Sequence, residues 1–398
     1  WFIINRDIDW AEFLNTALKG HTLTESIARL QPGHSDYRGL KDSLIPFANI
    51  ADEGGWETIT ASSKLEKGDS GDTITLLYQR LLVTGDTEYR EASLQDVFDD
   101  ELEKAVKLFQ HRHGLETDGV VGRDTLSALN KPVEERIKQI EANLERWRWL
   151  PHTFGSRYIL VNIAGFELDV FENGASVLHM PVVVGREFTK TPVFSGTMTY
   201  LDINPYWNVP HTIAVNEILP KVKKDPSYLE KEEYQVLSGW TNSPDIVPPD
   251  SIDWAALNSG RFPYRIRQKP GEKNALGRIK FMFPNPYAIY LHDTPAKGLF
   301  QRAARSFSHG CIRVSGPVEL AEYLLQNDPL WSRDKILRAI DSGVTRTINL
   351  PESIPVYLIY ITAWVDKEGV LHFRDDIYNR DKPLIQALDS LPSIKNPR

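Results

Sequence analysis

The sequence predicts a multidomain α+β chain, with helical modules first and a mainly β domain after them. Three observations point to it. At 398 residues the chain exceeds one ordinary core, since domains run to about 100–200 residues. Apolar residues recur every three or four positions as far as Trp149, then every second position from Tyr158. From about Thr212 to Ala275 the chain turns polar and rich in proline and aromatics, too long for a plain connection.

Residues 1–45 read as a helical scaffold. Asp9-x-x-Glu12 and Thr22-x-x-Glu25 have the form of capping boxes, and Leu23, Ile27 and Leu30 share one helical face. Residues 46–130 read as a small helical module: one helix carries Ile74, Leu77, Tyr78 and Leu81, and a second carries Leu102, Ala105, Val106 and Phe109. The turn-rich run Gly114 to Gly122 precedes a short third helix. Residues 131–150 complete the scaffold with a long helix, Val133, Ile137, Ile140, Leu144 and Trp147 apolar and charges elsewhere; Trp147 and Trp149 read as packing residues.

Residues 151–380 form the β domain. Tyr158–Ile163, Glu167–Phe171 and Met180–Gly185 read as short strands, with the turn Glu172-Asn173-Gly174 between two of them. Ser195–Leu201 and Lys280–Leu291 read as further strands, the second delivering His292 at its end. Residues 212–275 interrupt this sheet as a capping subdomain, a candidate lid. Pro317–Gln326 reads as a helix, Val356–Trp364 with Val370–Phe373 as a hairpin, and residues 381–398 as a C-terminal segment.

Composition narrows the function. Hydrophobic residues at 41% and charged residues at 25% are ordinary for a folded chain, and no run approaches the ~18 apolar residues of a membrane span. A net charge of −8 gives no basic surface for nucleic acid, which is not an expected partner. One cysteine excludes an intramolecular disulfide. The start at Trp1 suggests a chain whose targeting segment has been removed.

That cysteine, Cys311, sits in Ser308-His309-Gly310-Cys311-Ile312-Arg313, nineteen residues after His292. An ordinary thiol is only slightly ionised near neutrality and needs a base to act as nucleophile. His292, arriving from a strand end, is the better candidate base. His309 shares a face with Cys311 in an extended chain and lines the same site in that reading. Gly310 permits a tight backbone that aims the Gly310 and Cys311 amides at an oxyanion, with the Tyr290 hydroxyl a further donor. Ser308 shapes the turn. Arg313 suits a substrate carboxylate, Trp207 suits a substrate groove or core packing, and Asp293 orients His292 by side chain or carbonyl or contacts substrate. Two histidines and a cysteine also suit zinc, but no further Cys or closely spaced His completes a structural site, so no metal and no cofactor is expected.

His292, fifteen intervening residues and then Ser308-His309-Gly310-Cys311 resemble the signature of the L,D-transpeptidase catalytic domain, the YkuD family, some members of which carry Asn in place of Arg313. The order and spacing disfavour papain-like proteases and caspases. Phe109-Gln110, Gly114-Leu115, Asp118-Gly119-Val120-Val121-Gly122 and Thr125 to Leu129 resemble the three-helix peptidoglycan-binding domain. Asn204 to Pro210, Gln268 to Gly277 and Pro284 to Pro295 are similar to the large YcbB-type members of Gram-negative bacteria.

The resemblance implies a mainly β YkuD-type catalytic domain with an inserted cap, a peptidoglycan-binding-like module and a scaffold. It implies 3→3 cross-linking of meso-diaminopimelate residues through a Cys311 acyl-enzyme, with release of D-alanine. Peptidoglycan stem peptides, other cell-wall synthesis enzymes and β-lactams such as carbapenems are the implied partners. The implied location is the periplasm, with an N-terminal inner-membrane anchor outside these residues. An L,D-carboxypeptidase or endopeptidase using water, or an inactive wall-binding scaffold, remain the alternatives.

Overall fold

The computed structural model describes residues 8–89, 91, 95–239, 241 and 243–390. Residues 1–7 of the scaffold reading and 391–398 of the C-terminal segment therefore lie outside the described residues, as do 240 and 242 of the cap. Among the described residues no helix is long and apolar enough to cross a membrane.

Four short helices open the chain: α1 (Trp10–Lys19), α2 (Leu23–Leu30), α3 (Ser35–Asp42) and α4 (Leu44–Asp52). Asp9 caps α1, its carboxylate accepting the Ala11 and Glu12 amides at 3.0 Å. Thr22 does not cap α2. Its backbone (φ −116°, ψ 29°) is not the extended conformation a cap needs, and its hydroxyl lies 3.4 Å from that of Ser26. Because α4 runs through residue 45, the scaffold continues beyond it and packs on α8 (Val133–Trp149).

Between them stands the three-helix module of α5 (Asp72–Val83), α6 (Asp100–Arg112) and α7 (Arg123–Leu129), with a core including Leu77, Leu81, Val106, Phe109 and Leu129. Gln110 ties its turn together. Its oxygen accepts the Gly119 amide at 2.8 Å, and its amide nitrogen donates to Asp118, the Val120 carbonyl and the Thr125 hydroxyl.

The amphipathic reading of α8 holds for its apolar face. Tyr37, Leu40, Phe47, Ile140, Leu144 and Trp147 share a cluster with Ile359, Ile361 and Phe373. An adjoining polar face is buried as well, while Glu134, Lys138 and Glu141 keep the far side open to solvent. Gln139 donates to the Thr362 and Arg374 carbonyls at 3.0 and 2.8 Å, Asn143 exchanges hydrogen bonds with Thr362, and Arg146 pairs with Asp381 at 2.6 Å. Trp147 is buried, and Trp149 donates from its indole to Glu145.

The β domain contains β1 (Arg157–Asn162), β2 (Glu167–Glu172), β3 (Ala175–Gly185), β4 (Phe194–Ile203), the cap strands β5 (Trp207–Asn208), β6 (Tyr234–Leu237), β7 (Ile246–Val247) and β8 (Arg265–Gln268), then β9 (Ile279–Met282), β10 (Leu291–His292), β11 (Ser306–Ser308), β12 (Ile312–Val314), β13 (Arg346–Ile359), β14 (Ala363–Val365) and β15 (Leu371–Phe373). Nine of these form one sheet in the order β11-β3-β12-β10-β9-β4-β13-β1-β2. The long β3 pairs with β2 through its first half and with β12 near its end, so the sheet closes on itself. Inward side chains such as Val161, Leu168, Val182, Leu201, Phe281, Leu291, Ile312 and Val356 fill it.

Two predicted strands are broken. Lys280–Leu291 splits into β9 and β10 around Pro284-Asn285-Pro286, since neither proline donates to a ladder and Asn285 bonds the Phe283 and Ile289 carbonyls instead. Val356–Trp364 ends as β13 at Ile359, because Tyr360–Thr362 turn away towards α8; the hairpin is β14 with β15.

The insertion is a folded unit. Its four-stranded sheet, β5-β8-β6-β7, and the helical run from His211 to Lys224 enclose Val215, Leu219, Val222, Val236 and Ile266. Because β5 pairs with β8, the unit begins by Trp207, before residue 212.

Candidate active site

Three strands place the site. In β10 and β12, which run parallel, Leu291 lies opposite Ile312 and His292 opposite Arg313. In the antiparallel β9, Phe281 and Lys280 face those same two β10 residues. Alternation sends Leu291, Ile312 and Phe281 into the core and leaves Lys280, Tyr290, His292, Cys311 and Arg313 on the other face. The bond from the Ile312 amide to the Tyr290 carbonyl, 3.1 Å, brings Cys311 beside Tyr290.

Cys311 is half-buried, and its thiol lies 3.7 Å from the Ala288 carbonyl. Burial pushes its pKa up. Opposing this, the nearby Tyr290 amide and hydroxyl favour the thiolate, and Lys280 and Arg313 add positive charge. The Tyr290 hydroxyl is in turn held well above its ordinary pKa by burial and by the neighbouring sulfur.

His292 is buried at 4% exposure, which, with help from Arg313, pushes its imidazole down to about 3. Its Nδ1 lies 2.5 Å from the Asp293 carbonyl, which fixes the proton on Nδ1 and leaves Nε2 as the basic nitrogen. No hydrogen bond joins His292 to the sulfur among the described residues; the thiol is directed at Ala288 instead.

The turn before Cys311 is tightly held. Gly310 takes φ +115°, a conformation that disfavours any side chain. Its amide donates to the Ser308 hydroxyl at 3.1 Å, and that hydroxyl donates to the Cys311 carbonyl at 2.6 Å. The Gly310 amide is therefore occupied and is not an oxyanion donor in this state, which corrects the sequence reading; the Cys311 amide remains. From outside, Thr189 donates to the Ser308 carbonyl and Thr191 to that of Gly310, while Tyr378 bonds Thr191 and Gly185.

Two further expectations are corrected. His309 does not line the cysteine's face, because the turn at Gly310 breaks the extended alternation; its Nε2 meets the Glu217 carboxylate of the cap at 2.5 Å. The Asp293 side chain is not free for substrate: it pairs with Lys297 and accepts the Arg278 amide at 2.8 Å. Gly277 makes that approach possible, since a Cβ there would lie 2.4 Å from the carboxyl carbon. Of Asp293, it is the backbone carbonyl that meets His292. Trp207 is half-buried against the cap's own core, 6.4 Å from the Tyr234 ring.

Arg313 is half-buried, with Nε carrying no hydrogen bond and no carboxylate in ion-pair range among the described residues. Lys280, also half-buried, has its ammonium 4.2 Å from the Tyr290 ring centroid. Sequence reasoning passed over Lys280, although strand alternation from His292 would have found it. Glu217, Thr191 and Tyr378 carried no such signal, because their approach to the turn is purely tertiary.

The site is thus a closed sheet that presents one cysteine near a strand-end histidine, with a separate three-helix module upstream. Residues 156–331 match the L,D-transpeptidase catalytic domain, YkuD. Residues 70–129 match the family described as "Putative peptidoglycan binding domain".

A curated Haemophilus influenzae protein, "Putative L,D-transpeptidase", is 36% identical over 252 residues, which is 63% of this chain and 50% of that protein. The chain thus spans about half the length of the curated relative it matches. Similar solved structures include an L,D-transpeptidase from Stackebrandtia nassauensis (14% identity, 75% of this chain and 97% of that one, TM-score 0.28). Another is L,D-transpeptidase 3 from Mycobacterium tuberculosis in complex with a faropenem-derived adduct (13% identity, 51% and 60%, TM-score 0.24).

Proposed function

We propose that this chain is a cysteine L,D-transpeptidase that forms 3→3 cross-links in peptidoglycan. The observation that carries the reading is the sulfur of Cys311, faced by the Tyr290 amide and hydroxyl and flanked by Lys280 and by Arg313, which has no carboxylate in ion-pair range among the described residues. A stem peptide is rich in carboxylates, and an unpaired guanidinium suits one.

The thiol rotates from Ala288 towards His292 and gives its proton to Nε2, and the sulfur attacks the carbonyl carbon of the bond between meso-diaminopimelate and D-alanine. The Cys311 amide and the Tyr290 hydroxyl hold the developing oxyanion. The C–N bond breaks, His292 returns the proton to the leaving amine, and D-alanine departs from a thioester. The side-chain amine of a second diaminopimelate then attacks the thioester, losing its proton through His292 as the sulfur leaves. A β-lactam acylates the same sulfur by opening its ring amide. Such a substrate lies outside the cytoplasmic membrane, so the reading entails a periplasmic site of action.

The test is product analysis of purified tetrapeptide muropeptides by mass spectrometry. A cross-linked dimer with loss of one D-alanine per link is expected. Tripeptide alone identifies water as the acceptor and an L,D-carboxypeptidase; no product from a chain that retains Cys311 leaves a wall-binding scaffold.

A further inference from the structure

Two peptide units flank Cys311, and three of their four polar groups are already bonded. The Gly310 carbonyl accepts the Thr191 hydroxyl at 2.8 Å, the Cys311 carbonyl accepts the Ser308 hydroxyl at 2.6 Å, and the Ile312 amide donates to the Tyr290 carbonyl at 3.1 Å. The fourth group, the Cys311 amide, donates to no partner among the described residues. We propose that Thr191 is a positioning residue for acyl transfer: its hydroxyl, bonded to the Gly310 carbonyl, aims the Cys311 amide of the same peptide unit at the developing oxyanion. The inference rests on the acyl-transfer reading above and adds to it a residue that acts through the backbone and not on the sulfur.

Peptide geometry supplies the link. The Gly310–Cys311 bond is trans, so its carbonyl and amide point in opposite directions within one plane, and fixing the oxygen fixes the hydrogen. A hydrogen bond to the carbonyl also polarises the unit and strengthens its amide as a donor. Gly310, at φ +115°, has no side chain to brace that plane. Its own amide is tied to Ser308 and belongs to the preceding unit, so the side chain that acts on this plane directly is Thr191.

Thr191 is itself held from several sides. It is fully buried, and its hydroxyl accepts the Gly185 amide at 2.9 Å, which leaves the hydroxyl proton for the Gly310 carbonyl. Its amide donates to the Tyr378 hydroxyl at 3.1 Å, and that hydroxyl donates to the Gly185 carbonyl at 2.6 Å. Tyr378 is buried too, its amide donating to the Tyr360 hydroxyl at 3.0 Å. The approach depends on Gly185, where a Cβ would lie 2.0 Å from the Thr189 carbonyl oxygen. A β-branched side chain fixed in this way keeps its direction through the reaction, which is what oxyanion stabilisation by a preset dipole requires.

The test compares two reactions of the same sulfur in the whole chain. Acylation by a β-lactam passes through an oxyanion, whereas alkylation by iodoacetamide displaces iodide at a saturated carbon and develops none. Thr191→Val keeps the branched shape and removes the hydroxyl. It should slow β-lactam acylation about 10–100-fold while alkylation at the same pH stays within about twofold, as expected when a transition-state donor is misaimed. For a muropeptide donor kcat should fall with little change in KM. Thr191→Ser, which retains the hydroxyl, should recover most of the lost rate.

An equal fall in both reactions would mean that the thiol itself had moved and would overturn the proposal, leaving Thr191 a structural residue. Unchanged acylation in Thr191→Val overturns it as well, and so does a Thr191→Ser variant as slow as Thr191→Val. If Thr191→Val does not fold, Tyr378→Phe decides, because it removes the partner of the Thr191 amide without touching the turn: acylation must fall relative to alkylation, and an unchanged ratio overturns the proposal. A wild-type chain that is alkylated at Cys311 but neither acylated nor productive defeats the catalytic reading and this inference with it. Equal acylation of wild type and Thr191→Val defeats the inference alone.

Discussion

Two arginines of the β domain and its scaffold junction, one buried and one half-buried, have opposite surroundings. At the junction with α8, Arg146 is 1% exposed and meets the Asp381 carboxylate, which also accepts the Thr362 hydroxyl; Thr362 in turn is bonded to Asn143. On the outer face beside Cys311, Arg313 meets no carboxylate among the described residues, and its electrostatic neighbours include Arg186 and the sulfur. A paired buried cation stabilises its surroundings against loss of its partner, whereas an unpaired one costs desolvation energy and is retained for what binds to it. The first region holds the scaffold to the catalytic domain; in the proposed function the second is where a substrate carboxylate docks.

The largest effect should separate them outright. Cys311→Ala is expected to abolish the one-to-one β-lactam adduct in intact-protein mass spectrometry while keeping the unfolding midpoint. Arg146→Ala should do the reverse, lowering stability by about 3–5 kcal/mol, because Asp381 would remain buried and unpaired, with capture per folded molecule preserved. Adduct formation in Cys311→Ala would remove the nucleophile from the account.

Next comes His292→Ala, which should slow acylation roughly 10²–10⁴-fold in stopped-flow measurements if Nε2 takes the thiol proton. An unchanged rate would assign the base elsewhere.

Arg313→Ala sharpens the comparison itself. Removal of an unpaired cation should lower kcat/KM for a muropeptide donor by about 10–100-fold, as for a lost charged hydrogen bond, without lowering stability. A loss of stability with full kcat/KM would make Arg313 structural, like Arg146.

The smallest effect is on titration. Burial raises the Cys311 thiol, so its rate of alkylation by iodoacetamide should rise with pH to a midpoint above that of an ordinary thiol. The Tyr290 hydroxyl favours the thiolate, so Tyr290→Phe should move that midpoint further up; a downward shift would mean that the hydroxyl does not donate to the sulfur.

How much of this was legible in the chain depends on where the controlling contact lies. Cys311 and His292 could be picked out as candidates by residue type and spacing, because a chain with one thiol offers few such pairings. The helices of the three-helix module and the strands β1 to β4 were readable from period, since each buries one face of a regular element. Lys280 was within reach of the same alternation. The breaks at Pro284–Pro286 and after Ile359 were less so, because what ended each strand was a competing set of hydrogen bonds elsewhere in the fold.

The sequence by itself determined the reactive groups, the order of the modules and the faces that must be buried, because these follow from local chemistry and periodicity. Only the tertiary structure decided which charges would find partners. Arg146 and Asp381 are far apart in sequence, as are His309 and Glu217, or Glu116 and Ala303, and nothing local distinguishes Arg146 from Arg313. Pairing depends on the closure of the sheet and the docking of α8, the cap and the three-helix module, and that closure leaves Arg313 beside the sulfur without a counter-charge among the described residues.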